Sequence, residues 1–168
     1  VQLRRIAYGT EAGACALVCA PMYHSAPNSY SLGVAQDDGT LFIEPRFDAE
    51  RTLALIEAHR LTHAYLVPTM YVRLLALPAA VRAKYDVSSM RFVASTGSPC
   101  PPEVKRAMIE WWGPVLNECY GSSELGYMTL ATSEQALRKP GSAGLPLEGV
   151  RLKILDEEGR ELPRGQAG

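Results

Sequence analysis

Long apolar runs are absent from this sequence. The longest apolar stretch, residues 12–22, is interrupted by Gly13 and Pro21 and falls short of the ~20 residues that a membrane-spanning helix needs. Charge of one sign is not in excess either, because 17 Lys and Arg residues face 18 Asp and Glu residues, for a formal net charge of −1. We therefore predict no transmembrane segment and no nucleic-acid partner, since nucleic acids are bound by clustered basic residues.

Cysteine is scarce, and its spacing matches no metal or redox motif. The 168 residues contain four cysteines with no Cys-x-x-Cys pair among them: Cys15, Cys19, Cys100 and Cys119. A chain of this length can bury a core without disulfide bonds. We expect reduced cysteines and a cytoplasmic protein.

Both ends of the chain resemble internal sequence. The first residue is Val1 rather than an initiator Met, and no charged-then-apolar leader follows it. The chain stops at Gly168, within a turn-like stretch at residues 162–168. We therefore expect this chain to be a piece of a longer protein, with the remainder of its own polypeptide as a partner.

The sequence does contain a regular alternation of short apolar segments with amphipathic ones. Strands are predicted at 14–20, 40–43, 64–67, 90–95 and 114–119. Helices are predicted between them, at 29–35, from the N-cap Asp48 to about residue 60, from Pro68, and from Pro102. This alternation favours an α/β fold with a mostly parallel, helix-covered sheet.

Three polar or glycine-containing loops follow predicted strands, after Ala20, after Ser95 and after Cys119. Ligands of parallel sheets bind at the carboxyl ends of the strands. We therefore expect His24, Gly97 and Glu124, one from each loop, to lie along one rim of the sheet.

The composition and pattern of the sequence change beyond Glu124. Residues 139–146 are rich in turn formers, residues 150–155 alternate like a strand, and residues 156–159 suit a hairpin turn. We predict that residues 1–146 form the α/β part of a large domain, and that residues 147–168 begin a small β-rich subdomain.

One stretch combines several chemical groups that a nucleotide requires. Tyr120 offers a ring that can stack on a base, and Gly121 lets the backbone approach a ligand closely. Ser122 and Ser123 offer hydroxyl donors for phosphate oxygens. Glu124 offers a carboxylate, and Mg²⁺ usually takes only one or two carboxylates beside phosphates and waters. The alternative is an ordinary helix start, with Ser122 or Ser123 as the cap and Glu124 in the first turn.

Four motifs taken together resemble one family. They are Pro-Met-Tyr-His at 21–24, Ser-Thr-Gly-Ser-Pro at 95–99, Tyr-Gly-Ser-Ser-Glu at 120–124 and Gly-Ser-Ala-Gly-Leu-Pro at 141–146. In this order and approximate spacing they resemble the adenylate-forming superfamily of acyl-CoA synthetases, nonribosomal adenylation domains and beetle luciferases. The resemblance is strongest to the fatty-acyl-CoA ligase branch, and it covers nearly the whole chain.

The resemblance implies a reaction and its substrates. The family activates a small-molecule carboxylic acid with ATP and Mg²⁺, forming an acyl-adenylate and pyrophosphate. Its ligase branch then passes the acyl group to coenzyme A. For this chain the resemblance implies a fatty or other hydrophobic acid. The alternatives are an aryl-acid or carrier-protein-loading adenylating enzyme, and a non-catalytic nucleotide-binding module.

The resemblance also implies roles for single residues. Tyr120 is expected to stack on adenine, Ser123 to contact the α-phosphate, Glu124 to hold Mg²⁺ and His24 to lie beside the acyl carboxylate. The family often has Thr at the position of Ser123, and the hydroxyl is kept. The implied catalytic set is His24, Ser123 and Glu124. The implied nucleotide-binding set is Thr96, Gly97, Ser98, Pro99, Tyr120, Gly121, Ser122 and Ser123.

Other parts of the family's machinery have no counterpart in this sequence. A phosphate loop with a lysine precedes the first matching motif in the family, and a ribose-binding Asp and a domain with a catalytic lysine follow the last. We therefore expect this chain to be the central part of the large N-terminal domain, and to be inactive in isolation.

Two further pairs of residues have simpler interpretations. His59 and His63 are four apart, as zinc ligands on a helix can be, but the predicted helix ends near residue 60 and no third ligand is near. Helical spacing predicts Trp111 in the core and Trp112 at its boundary.

Overall fold

A single sheet organises the structure, a computed structural model that describes residues 2–168. Its seven strands in that range are β1 (Cys15–Val18), β2 (Thr40–Ile43), β3 (His63–Leu66), β4 (Phe92–Ser95), β5 (Leu116–Ser122), β6 (Gly126–Ala131) and β7 (Leu145–Pro146). Their order across the sheet is β2-β1-β3-β4-β5-β6-β7. Strands β1 to β5 pair in parallel, whereas β6 and β7 are antiparallel. The predicted α/β class and mostly parallel sheet are confirmed.

Seven helices of the described range connect and flank these strands. They are α1 (Gln2–Tyr8), α2 (Ser25–Gln36), α3 (Ala49–His59), α4 (Pro68–Leu75), α5 (Ala79–Arg82), α6 (Pro102–Trp112) and α7 (Ser133–Arg138). None of the described helices is both long and apolar enough to cross a bilayer.

Local sequence signals set several helix boundaries. The side chain of Asp48 accepts a hydrogen bond from the backbone N–H of Arg51, so it caps α3 as predicted. Proline occupies the first position of α4 and of α6, where its missing N–H costs nothing. In α7, Thr132 and Gln135 form a reciprocal capping box.

The core lies on both faces of the parallel strands. Every residue of β3 is buried, as expected for a strand covered by helices on both sides. Four tyrosines from different elements pack against one another in edge-to-face or tilted arrangements. Their ring centroids are 4.8–6.5 Å apart, and they are Tyr8, Tyr30, Tyr65 and Tyr127. This cluster ties α1, α2, β3 and β6 together.

The segment from Tyr120 to Glu124 differs from the helix start considered above. Strand β5 continues through Ser122 and turns back into β6, with Glu118 opposite Ala131 and Ser122 opposite Gly126. The helix interpretation of this stretch is therefore wrong. The available signal for the hairpin was the strand preference of Tyr127 and Thr129 within residues 126–131.

The two tryptophans exchange their predicted places. Trp112 is buried, whereas Trp111 is half-buried and lies under the guanidinium of Arg82. Met108 and Trp112 are four apart on α6 and face the core together. The helix therefore presents a face rotated by one residue from the predicted stripe.

The C-terminal residues form less regular structure than predicted. Residues 150–154 belong to no strand, and Leu155 makes a single antiparallel bridge to Glu161 around the turn at 157–159. The predicted strand at 150–155 is therefore wrong, while the turn at 156–159 is confirmed. The division at residue 146 stays a prediction.

Candidate active site

A cleft opens where the carboxyl ends of β1, β3, β4 and β5 meet. Its volume is about 1040 Å³, at the upper limit of the sites that hold small-molecule ligands. The loops that follow these four strands line it, together with the first turn of α2 and residues Gly141 and Ala143. The parallel strands thus bring loops from distant parts of the sequence to one edge of the sheet.

Nearly all the sequence-predicted site residues line this cleft. They are His24, Thr96, Gly97, Ser98, Pro99, Tyr120, Gly121, Ser122 and Ser123. Glu124 is the exception, because it is exposed in the turn between β5 and β6 and is not among the lining residues. The structure therefore brings His24 and Gly97 to one cleft and leaves Glu124 outside its lining.

Two of these loops are in direct contact. The hydroxyl oxygens of Ser25 and Ser123 share a hydrogen bond of 2.7 Å, although 98 positions separate them in sequence. Both residues are exposed and both line the cleft. The start of α2 and the turn after β5 therefore form one continuous polar wall.

The β5–β6 hairpin positions the aromatic residue of the site. Tyr120 pairs with Thr129, and the register shifts immediately after it, between Tyr120 and Gly121. Such a shift bends a strand and re-aims its side chains. The Tyr120 side chain is 54% exposed, so its ring offers surface to a planar ligand.

Gly121 allows the closest backbone approach in the hairpin. A Cβ atom at this position would lie 2.1 Å from the carbonyl oxygen of Gly126 and 2.9 Å from the Cα of Tyr127. These distances leave no room for a side chain. The glycine is therefore required by the hairpin itself, whatever binds beside it.

A buried ion pair supports the turn that follows β4. Lys105 of α6 pairs with Glu118 of β5, and both side chains are less than 10% exposed. The second carboxylate oxygen of Glu118 accepts a hydrogen bond of 3.1 Å from the backbone N–H of Cys100. This network fixes the turn at 96–100 relative to the strand that carries Tyr120, and Glu118 itself lines the cleft.

His24 occupies the N-cap position of α2 without capping the helix through its side chain. Its backbone N–H donates to the carbonyl of Pro21 at 3.2 Å, and its carbonyl accepts from the N–H of Asn28. The imidazole is exposed and packs against the ring of Tyr23 at 4.5 Å. The backbone therefore fixes the position of His24, which lines the cleft.

The floor of the cleft contains thiols and a phenol that burial keeps protonated. Burial raises the pKa of Cys100 to about 11 and those of Cys119 and Tyr65 to about 12. The Cys119 thiol also donates a hydrogen bond to the carbonyl of Ala7 at 3.0 Å. Since the thiolate is the nucleophilic form, neither thiol is suited to attack a substrate near pH 7.

The site's chemistry fits a nucleotide better than a protein-held metal cluster. Within residues 2–168 no group of three or more His, Cys, Asp or Glu side chains could hold a metal ion. Mg²⁺ needs fewer protein ligands when phosphates supply the rest of its shell. A single carboxylate such as that of Glu124 is compatible with that arrangement.

Comparison with known proteins decides the family. A profile of the family described as AMP-binding enzyme matches residues 2–168. The chain belongs to the AMP-binding enzyme family. It is thereby a member of the adenylate-forming superfamily that its four motifs resemble.

Among its relatives, the probable CoA ligase CCL5 of Humulus lupulus is 32% identical over 155 residues, which is 90% of this chain and 28% of that protein. Other relatives of this AMP-binding enzyme chain are a 4-coumarate–CoA ligase, an acetyl-coenzyme A synthetase and a medium/long-chain-fatty-acid–CoA ligase. These relatives are acid–CoA ligases with different acids.

Solved structures of other proteins have the same fold as this chain. The amide bond synthetase McbA from Marinactinospora thermotolerans superposes with a TM-score of 0.87 at 27% identity, over 97% of this chain and 33% of that one. ATP-bound MatB from Rhodopseudomonas palustris gives 0.81 at 29% identity, over 98% and 32%. The chain thus spans about a third of the length of each structure.

Sequence reasoning missed three residues that line or support the cleft. Ser25 is not among the predicted site residues, although it contacts Ser123. Lys105 and Glu118 are 13 positions apart on different elements, and no local pattern pairs them. The available signal was the helical spacing that puts Lys105 on the same face of α6 as the buried Met108 and Ile109, because a buried lysine requires a partner.

Proposed function

We propose that the protein containing this chain is an ATP-dependent acid–CoA ligase. It would adenylate a hydrophobic carboxylic acid and transfer the acyl group to coenzyme A. The observation that carries the proposal is the convergence of three motifs on one cleft. His24, the turn at Gly97 and the Tyr120–Ser123 segment all line it, as the family resemblance requires.

The proposed chemistry is the attack of a carboxylate on the α-phosphorus of ATP. Two anions must approach each other, so their repulsion has to be screened by donors and by a cation. In this proposal Ser123 donates its hydroxyl to the α-phosphate and Glu124 is the protein ligand of Mg²⁺, which would supply positive charge at the phosphates. The bond that forms joins the acid oxygen to phosphorus, and pyrophosphate leaves with the electron pair of the broken bond.

The protein's own residues would bind the nucleotide and orient the acid. Tyr120 would stack on adenine, with Gly121 and Ser122 beside it, and the backbone of residues 96–99 would line the adenine and acyl pockets. The imidazole of His24 would donate a hydrogen bond to the acyl carboxylate and hold it in line. No side-chain nucleophile is needed because the substrate attacks, which suits a cleft whose buried thiols have raised pKa values.

The acid proposed is hydrophobic, because one side of the cleft is apolar. Its lining there includes Ala20, Ala26, Val67 and Met70. The relatives act on acids as different as acetate, 4-coumarate and fatty acids, by their names. Because of the apolar lining, a fatty acid is the preferred substrate in this proposal, and an aryl acid is the alternative.

The first test is acid-dependent exchange of labelled pyrophosphate into ATP, with the full-length protein and Mg²⁺. Acetate, octanoate and 4-coumarate would be compared. We expect exchange with octanoate or 4-coumarate and little with acetate. Binding of AMP without exchange for any acid would instead favour a non-catalytic nucleotide-binding module.

The second step needs its own test. The acyl-adenylate would be offered coenzyme A, a carrier protein or an amine, since one structural relative is an amide bond synthetase. We expect thioester with coenzyme A. Transfer only to a carrier protein or an amine would replace the ligase proposal by the corresponding alternative.

The isolated 168-residue chain is expected to show no exchange. The chain spans 28% of the CoA ligase CCL5 and 33% of the amide bond synthetase McbA. The family's phosphate loop and catalytic lysine match no segment of this chain. Appreciable exchange by the isolated chain would contradict this part of the proposal.

A further inference from the structure

We infer that Ser25 is a positioning residue that orients the hydroxyl of Ser123 toward the phosphate of a bound nucleotide. The inference rests on the proposed function, because it takes Ser123 as a phosphate ligand. The observation that carries it is the 2.7 Å hydrogen bond between the two hydroxyls in the cleft wall.

The chemistry of phosphate fixes the direction of this hydrogen bond. Phosphate oxygens near neutral pH are acceptors, so a serine that binds one must donate its only hydroxyl proton. The oxygen of Ser123 then has lone pairs free to accept, and the partner 2.7 Å away must be the donor. Ser25 therefore donates to Ser123, and Ser123 donates to the phosphate.

The two serines differ in how firmly the fold holds them. Ser25 is the first residue of α2, a helix of 12 residues whose Pro27 and Tyr30 are buried in the core. Ser123 lies in the exposed turn between β5 and β6. A hydrogen bond from the anchored residue to the turn residue selects one orientation of the Ser123 side chain before the nucleotide arrives.

The neighbouring hydroxyl in the turn has another task. The Ser122 Oγ accepts a hydrogen bond of 3.2 Å from the backbone N–H of Leu125, which closes the turn. Ser122 therefore supports the turn, while the hydroxyl of Ser123 faces Ser25. Two consecutive hydrogen bonds also polarise each other, so Ser25 makes Ser123 a stronger donor to the phosphate.

The test compares the affinities of AMP and adenosine for the full-length protein, measured by calorimetric titration. Adenosine lacks the phosphate and so reports on the rest of the cleft. We expect Ser25→Ala to weaken AMP binding about fivefold, the effect of one hydrogen bond of ordinary strength, and to leave adenosine binding unchanged. Ser25→Thr keeps the hydroxyl and should restore AMP affinity.

Two further variants separate positioning from other roles. In a Ser123→Ala background, Ser25→Ala should have no additional effect, because Ser25 acts through Ser123. Gln36→Ala is the matched control, since Gln36 is an exposed polar residue on the same helix and is not among the residues that line the cleft. Its AMP affinity should equal that of the wild type.

Each contrary result has a defined meaning. Wild-type AMP affinity in Ser25→Ala, equal losses for AMP and adenosine, additive losses in the double variant, or a matching loss in Gln36→Ala would each overturn the inference and leave the proposed function standing. No AMP binding by the wild-type protein would overturn the proposed function, and the inference with it.

Discussion

Neighbouring residues of the Tyr120–Glu124 segment have different surroundings. Tyr120, Gly121 and Ser123 line the cleft, whereas Glu124 is exposed and is not among the lining residues. A sequence motif gives residue types and order, but the turn geometry decides which side chains face a ligand. The motif therefore predicted most of the lining residues, and the placement of Glu124 depends on the hairpin, which the sequence reasoning missed.

Glu124→Gln tests the proposed metal ligand. If this carboxylate holds Mg²⁺ at the phosphates, its loss should lower acid-dependent pyrophosphate exchange by ~10²-fold or more. The melting temperature should change little because the side chain is exposed. Exchange and thermal unfolding would be measured on the same full-length preparation.

Glu157→Gln is the matched control for this variant. Glu157 is another exposed carboxylate in a turn, so its replacement changes the net charge equally and should leave exchange intact. Wild-type exchange in Glu124→Gln would remove Glu124 from the mechanism. The cleft would then need a different carboxylate for the metal.

Elements were predicted well where one local signal dominated. The proline starts of α4 and α6 and the Asp48 cap of α3 are confirmed. The β5–β6 hairpin was not predicted, because the turn that joins its two strands also has the composition of a helix start. Helix α2 begins at Ser25 rather than at residue 29, and this shift brings Ser25 to the cleft.

The β5–β6 hairpin should be destabilised if Gly121 gains a side chain. Gly121→Ala would place a Cβ atom 2.1 Å from the Gly126 carbonyl oxygen, so the strands must separate. We expect a loss of about 3 kcal/mol or more in stability and a loss of AMP affinity. Thermal unfolding and AMP titration of the full-length protein would measure both.

Gly126→Ala provides the comparison for that variant. Gly126 has φ of +74°, but a Cβ atom added there would meet no heavy atom within 4 Å, so only backbone strain of ~1–2 kcal/mol is expected. Equal effects of the two substitutions on AMP affinity would argue against close packing of the strands at Gly121.

The buried pair between α6 and β5 should be sensitive to loss of one partner. Lys105→Met leaves the Glu118 carboxylate buried without its cation, which should cost about 3–5 kcal/mol. The double variant Lys105→Met with Glu118→Gln keeps an acceptor for the Cys100 N–H and should recover part of that loss. Urea unfolding of the wild type, the two single variants and the double variant would measure it, and strictly additive losses would contradict coupling between the pair.

The architecture of the whole molecule was the most predictable feature. Alternating apolar and amphipathic segments allow little other than a parallel sheet with helices on both faces. Its antiparallel end, β6 and β7, and the N-terminal helix α1 were not predicted. Helix α1 and the residues after it are held by contacts with elements that are distant in sequence. One such contact runs from β3 to the segment after α1.

That contact makes the stability of the molecule depend on pH. The Nε2 of His63 donates to the carbonyl of Gly9 at 2.9 Å, so its Nδ1 accepts from the Thr62 hydroxyl at 2.8 Å in the neutral ring. Burial lowers the pKa of His63; Glu11 and the Gly9 hydrogen bond partly oppose this effect, and Arg91 adds to it. The folded state therefore favours the neutral imidazole.

Stability should fall as the pH falls below about 6.5, the ordinary pKa of histidine. In that range the unfolded chain takes up a proton that folded His63 resists, and one such proton contributes at most about 1.4 kcal/mol per pH unit. Urea midpoints of the full-length protein between pH 5.5 and 7.5 would show this slope. His63→Gln should flatten it, whereas replacing the exposed His59 should not. A slope that His63→Gln leaves unchanged would assign the pH dependence to other groups.

The central claim is that the cleft at the carboxyl ends of the parallel strands holds the AMP portion of an acyl-adenylate. A crystal structure of the full-length protein with AMP and Mg²⁺ tests it most directly. We predict adenine against the ring of Tyr120, and the phosphate within hydrogen-bond distance of the Ser123 hydroxyl, which in turn contacts Ser25. AMP bound elsewhere, with the cleft between His24 and Gly97 left to solvent, would contradict the claim.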